Sequence, residues 1–105
     1  KLNLTTIISP RAYISNSSNI GLGTIVMHDV IINANASVGK NCIINSKALI
    51  EHDAVVGDNC HISTAAVING SVSVGNDTFV GSGAITKNNT TIPEKSFIKA
   101  NSIFK

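Results

Sequence analysis

The sequence predicts an all-β chain wound as a parallel β-helix, a solenoid of six-residue repeats, and three observations carry that prediction. First, every sixth residue from Ile8 to Ile98 is Ile or Val, with Thr86 the single exception. Ile and Val make up about a quarter of the chain, so chance would fill about four of these sixteen positions rather than fifteen. Second, the residue four places after each anchor is small or β-branched, from Ala12, Ser18 and Thr24 through to Thr90, Ser96 and Ser102. Two inward sites in every six residues is the pattern of a hexapeptide coil. Third, there is no Trp, and Tyr13, Phe79, Phe97 and Phe104 are the only aromatics. A compact globule of this length wants larger core side chains, whereas a solenoid buries medium-sized aliphatics against the coils above and below. A spacing of six would scatter the apolar residues around an α-helix, so essentially no helix is expected.

Taken in order, residues 1–7 read as a lead-in or cap and residues 8–103 as the β-helix, in one domain. Positions eighteen apart are then axial neighbours, which gives three faces and a little over five coils. Gly21, Gly39, Gly57 and Gly75 each follow an anchor on one face, with Pro93 next in the series. These glycines are expected to hold a corner at positive φ, with Asn33 and Asn69, and Asn45 and Gly81, doing the same at the other corners. Cys42 and Cys60 take the small inward site one coil apart. They are expected to stack as reduced thiols, because parallel Cβ vectors suit a disulfide poorly. Thr86 and Pro93 are expected to mark a weakened final coil.

Composition narrows the partners. Eight basic against six acidic residues leave a formal charge of +2, too weak for a general nucleic-acid surface, and no RNP, helix-turn-helix or zinc-finger spacing occurs. No nucleic acid is expected. No apolar run approaches the ~18 residues of a membrane span and no charged-then-apolar leader precedes the repeat. No membrane partner is expected either, and the chain reads as cytoplasmic.

The outward sites are mostly small and polar, and the departures from that rule carry the chemistry. Glu51, His52 and Asp53 crowd three ionisable groups onto one corner. The axial neighbours of His52 are Ala34 and Gly70, so the imidazole is expected beside a vacancy where a ligand could lie. A solvated surface histidine is the plain alternative. His61 follows nine residues later, half a coil on, at a site that elsewhere holds Ile, Leu or Val. Half a coil puts it on a different face, so it could join His52 only across a protomer boundary. His28, with Asp29 beside it, reads as decoration. A zinc site like that of gamma-class carbonic anhydrases needs an axially stacked pair, and no two of the three histidines share a column. No metal is expected.

The run I-I-N-S-K-A-L-I-E-H-D-A-V-V-G-D-N-C-H-I-S from Ile43 to Ser63, followed by N-G-S-V-S-V-G from Asn69 to Gly75, resembles the sugar O- and N-acetyltransferases of the NeuD/PglD type. That family acetylates sialic acid or nucleotide-linked amino sugars with acetyl-CoA. The specific part is E-H-D/E followed by a second His nine residues after the first. The resemblance implies a left-handed coil, against the usual right-handed crossover, a homotrimer, acetyl-CoA as co-substrate and a sugar acceptor. It also implies an N-terminal Rossmann-like domain, of which this sequence has no counterpart. By resemblance His52 is the general base, Asp53 the carboxylate that orients it, and His61 a second active-site histidine near the acetyl group or acceptor. Gly70 and Ser71 would line the acetyl site and offer amides to the oxyanion, and Gly81 and Gly83 would let pantetheine approach. Lys99, with Lys87, Lys95 and Lys105, would meet the coenzyme phosphates, and Asn45 and Glu51 would contact the acceptor. An imidazole with pKa near 6.5 is well matched to take the proton that a hydroxyl or amine loses on attacking a thioester. Two other readings stay open: a catalytically silent trimerisation scaffold and a metal hydratase.

Overall fold

The computed structural model describes residues 5–105, which hold strands and turns with no helix. Among these residues seventeen two-residue strands recur once per repeat. They form three parallel sheets in which each strand pairs with the one a coil later. Sheet A contains β1 (Ile7–Ile8), β4 (Ile25–Val26), β7 (Ile43–Ile44), β10 (His61–Ile62), β13 (Phe79–Val80) and β16 (Phe97–Ile98). Sheet B contains β2 (Tyr13–Ile14), β5 (Ile31–Ile32), β8 (Leu49–Ile50), β11 (Val67–Ile68), β14 (Ile85–Thr86) and β17 (Ile103–Phe104). Sheet C contains β3 (Asn19–Ile20), β6 (Ser37–Val38), β9 (Val55–Val56), β12 (Ser73–Val74) and β15 (Thr91–Ile92). The register is the expected eighteen, with Ile43 opposite His61 and His61 opposite Phe79. Among the described residues the strands run from Ile7 to Phe104. Lys1 to Leu4 of the lead-in lie outside the described residues.

The second residue of each strand points inward, and Ile32, Ile44, Ile50, Ile62, Ile68 and Ile92 are wholly buried. Ala36, Ala48, Ala54, Ala66 and Ala84 at the small site close the core between them. A two-residue strand alternates one inward and one outward side chain, so six residues suffice for one side of the prism.

The corners are built differently from the expectation. From Ile20 onward left-handed backbone falls three residues after each anchor, not one, at Asp29, Asn35, Asn41, Lys47, Asp53, Asn59, Ala65, Ser71, Asp77, Asn89, Lys95 and Asn101, and at Gly23 and Gly83. Asn and Asp predominate because they tolerate that region best among residues with a Cβ. The Gly21–Gly39–Gly57–Gly75 column has ordinary φ and another cause. A Cβ on Gly21 would lie 2.5 Å from the carbonyl carbon of Gly39, and one on Gly39 would lie 2.7 Å from that of Gly57. Successive coils approach too closely there for any side chain.

The carbonyls of that column also explain the cysteines. Thr24 Oγ1 donates to the Gly39 carbonyl at 2.7 Å, Cys42 Sγ to Gly57 at 3.1 Å, Cys60 Sγ to Gly75 at 3.2 Å and Thr78 Oγ1 to Pro93 at 3.3 Å. The inward site below this corner must be small and must donate, and Thr and Cys do both. Both thiols are free and buried. The coil around Thr86 and Pro93 keeps the register of the coils beneath it, β14 pairing with β11 and β15 with β12.

Candidate active site

His52 stands at the corner where β8 gives way to β9. Its turn is locked to the coils on either side: Asp53 N–H donates to the Ala34 carbonyl at 3.0 Å, and Ser71 N–H donates to the His52 carbonyl at 3.0 Å. Ala34, His52 and Gly70 therefore stack along the axis. Asp53 sits at the left-handed position, φ 62°, which turns its carboxylate back to within 3.0 Å of His52 Nδ1. Because an ionised carboxylate only accepts, this contact assigns the proton to Nδ1 in the neutral ring and leaves Nε2 with a free lone pair.

Nε2 is directed at position 70. A Cβ built on Gly70 would lie 2.6 Å from Nε2 and 2.7 Å from Cε1, with Asn88 Nδ2 3.2 Å away on the other side. The vacancy expected beside His52 is thus filled by its own ring, which can reach that place only because residue 70 has no side chain. Gly70 itself is buried, yet among the described residues its N–H has no acceptor. The amides on either side are committed, Asn69 to Thr86 Oγ1 at 3.1 Å and Ser71 to His52. Ser71, expected to share the donor role with Gly70, is therefore not free to do so. Amides at the equivalent place in other repeats, such as those of Leu22, His28, Ala34, Thr64 and Asn76, also lack an acceptor among the described residues, but of these residues Gly70 alone is buried, where an unpartnered N–H is rare, and it lies beside the His52 ring.

Glu51 does not stand free at the corner. Its Oε1 accepts from Asn33 Nδ2 at 2.8 Å and from the His52 N–H at 3.3 Å, which braces the turn from the coil below. His61 lies on the outer surface of sheet A, half-buried, with its ring edge-on to Phe79 at 5.2 Å and Phe79 stacked on Phe97 at 5.0 Å. Its Nε2 is 3.5 Å from Asn45 Nδ2. The corner that carries His52 joins sheets B and C, so His61 on sheet A faces away from it within one protomer.

Three further expected contacts have other employment. A Cβ on Gly81 would meet Cα of Ala100 at 2.7 Å, and Gly83 occupies the left-handed turn position at φ 69°. Both glycines are demanded by the coil itself, without reference to a ligand. Lys99 is exposed and borders a cavity of about 410 Å³ with Phe97, Ile103 and Phe104 on the last coil, well away from His52. His28 hydrogen-bonds Ser9 Oγ through Nδ1 at 2.6 Å, and Asp29 is held by Arg11 at 2.6 Å. The three histidines occupy separate columns, and no group of three metal-ligating side chains gathers among the described residues. Sequence reasoning missed Asn69, Thr86 and Asn88. The break in the aliphatic series at Thr86 and the axial position of Asn88 above Gly70 were the signals available.

Stacked six-residue coils with no insertions define a hexapeptide-repeat protein. No protein-family model and no curated protein matches the chain, but solved structures do. A variant of perosamine N-acetyltransferase from Caulobacter crescentus, in complex with CoA and GDP-perosamine, superposes with a TM-score of 0.96 at 35% identity over 98% of this chain and 49% of its own. PerB from the same organism, in the same complex, gives 0.96 at 36% over 98% and 50%. The acetyltransferase domain of PglB from Neisseria gonorrhoeae, in complex with acetyl coenzyme A, gives 0.92 at 29% over 94% and 48%. Over nearly its whole length the chain is similar to these hexapeptide-repeat sugar acetyltransferases, the class that its sequence resembles, and it spans about half the length of these relatives.

Proposed function

We propose that the chain carries the acetyl-transfer site of an acetyl-CoA-dependent sugar acetyltransferase, whose acceptor is the amine or hydroxyl of a nucleotide-linked amino sugar. The single observation that carries this reading is the His52–Asp53 pair, with Nε2 directed at position 70, whose own N–H has no acceptor among the described residues. The GDP-perosamine in two of the relatives supports a nucleotide-linked amino sugar over sialic acid. Nε2 takes the proton from the acceptor as it attacks the thioester carbonyl, and Asp53 holds the ring and stabilises the imidazolium. The Gly70 N–H receives the oxyanion of the tetrahedral intermediate. Collapse expels the coenzyme thiolate, which recovers the proton from Nε2. His61 and Asn45 form the acceptor side, Glu51 holds the His52 turn, and Lys99 with its neighbours on the last coil is the candidate for the coenzyme phosphates.

The site is assembled between protomers of a homotrimer. Sheets A and B expose Ile7, Ile43, Phe97, Tyr13, Ile31, Ile85 and Ile103, whereas sheet C presents Asn19, Ser37, Ser73 and Thr91 with Val55 alone among them. Two apolar faces and one polar face suit a heterologous contact, A of one protomer against B of the next, that closes after three. This contact carries His61 of one protomer to the seam bordered by His52 of another. A cytoplasmic location accords with the free thiols of Cys42 and Cys60.

Assay of His52→Ala with acetyl-CoA and nucleotide-linked amino sugars tests the proposal. The turnover should fall by about 10²–10⁴-fold, with the trimer and acetyl-CoA binding retained. Undiminished turnover removes His52 from the mechanism. A wild-type chain that binds no acetyl-CoA in a calorimetric titration favours the silent scaffold instead.

A further inference from the structure

We propose that Thr86 is a positioning residue for catalysis, which together with Asn69 fixes the direction of the Gly70 N–H. The inference rests on the acetyl transfer proposed above and adds two residues that it does not use.

Thr86 is wholly buried in the aliphatic series, where its hydroxyl serves no packing purpose. Along the rest of the helix, from Ser9 to Lys87, the amide that follows each anchor donates to the anchor carbonyl of the next coil at 2.8–2.9 Å, as from Glu51 to Ile68 and from Gly75 to Ile92. Among the described residues Asn69 alone departs from this ladder. Its N–H donates to Thr86 Oγ1 at 3.1 Å, and Thr86 Oγ1 donates in turn to the Val67 carbonyl at 3.2 Å. The Thr86 carbonyl, released from the ladder, accepts from Asn69 Nδ2 at 2.8 Å. The Asn69 carbonyl accepts from the Val72 N–H at 3.3 Å.

The peptide that joins Asn69 to Gly70 is therefore held on both flanks, and it is the peptide that bears the unpartnered N–H beside His52. A glycine amide has little steric guidance of its own, so its direction is set by these neighbours. Removing the hydroxyl sends Asn69 N–H back to the carbonyl of residue 86, displaces the Asn69 side chain and turns the peptide. The repeat tolerates an aliphatic residue there, as it does at every other anchor, so the fold does not depend on Thr86.

Thr86→Val and Thr86→Ser separate the two roles. In Thr86→Val the turnover number should fall about tenfold to a hundredfold. The KM for both substrates, the pH profile and the melting temperature should stay near those of the wild type. Thr86→Ser should restore most of the rate. In ¹⁵N-labelled protein the Gly70 amide resonance should move in Thr86→Val and return in Thr86→Ser, while those of Gly57 and Gly75 stay in place. A Gly70 resonance unmoved by Thr86→Val overturns the positioning. A moved resonance with undiminished turnover overturns its catalytic consequence. A wild-type chain that acetylates no amino sugar overturns the underlying activity, and the resonance then still decides whether Thr86 aims this amide.

Discussion

A methyl group at position 70 separates chemistry from folding at the scale of one residue. The Cβ of Gly70→Ala would meet the His52 ring at 2.6 Å and the Asn88 amide at 3.2 Å, both the far ends of exposed side chains. The backbone there is not in the left-handed region, so alanine adds no torsional strain. The expected result is a stability change below about 1 kcal/mol with a turnover about a hundredfold lower, because Nε2 is pushed off its line. Chemical denaturation and steady-state rates on one preparation check both halves, and a fully active variant would contradict the arrangement of His52 over Gly70. The stacking of Ala34, His52 and Gly70 was legible from a spacing of eighteen, since axial neighbours are a matter of counting. That the ring fills the gap was not legible, because it depends on the rotamer that the bond to Asp53 selects.

The six-residue element holds more polar logic than its aliphatic anchors disclose. Thr24, Cys42, Cys60 and Thr78 read as merely small in the sequence, yet each donates to a carbonyl of the close-packed glycine corner. Carbonyl directions cannot be counted from a repeat, and for the same reason the positive-φ site was placed two residues early. Cys60→Ala should leave the Gly75 carbonyl unpaired and cost about 1–3 kcal/mol, while Cys60→Thr, which copies Thr24 and Thr78, should cost less. The Cys60 thiol is pushed up from its ordinary range, by its hydrogen bond with Cys42 and by burial, while the same bond holds the Cys42 thiol down at about 7. A raised native pKa means that the unfolded thiol ionises first. The Cys60 contribution is complete below the unfolded value and is lost as pH rises above about 8.5, where Cys42 is ionised in both states and adds no slope. Urea midpoints measured from pH 7 to 10 should decline above that point, and Cys60→Ala should flatten the decline. A parallel decline in the variant would exclude Cys60 as its source.

On the scale of the whole molecule, the prism cannot bring its two histidines together by itself. His52 lies on the corner between sheets B and C, and His61 lies on sheet A with the Phe79 and Phe97 rings stacked above it. The half-coil offset was readable from the sequence. The contrast between two apolar sheets and one polar sheet needed the faces to be assigned, and it supplies a physical reason for threefold closure. If sheet A of one protomer meets sheet B of the next, each seam takes His52 from one chain and His61 from another, so two inactive variants can complement each other. Equal amounts of His52→Ala and His61→Ala, unfolded together and refolded, place both histidines intact at about a quarter of the seams in randomly mixed trimers. The mixture should regain about a quarter of the wild-type rate, while each variant refolded alone stays inactive. Recovery needs subunits that mix, which mass spectrometry of the refolded trimers establishes. Mixed trimers without recovered activity would mean that no seam joins the two histidines, and His61 would then have to be removed from the site.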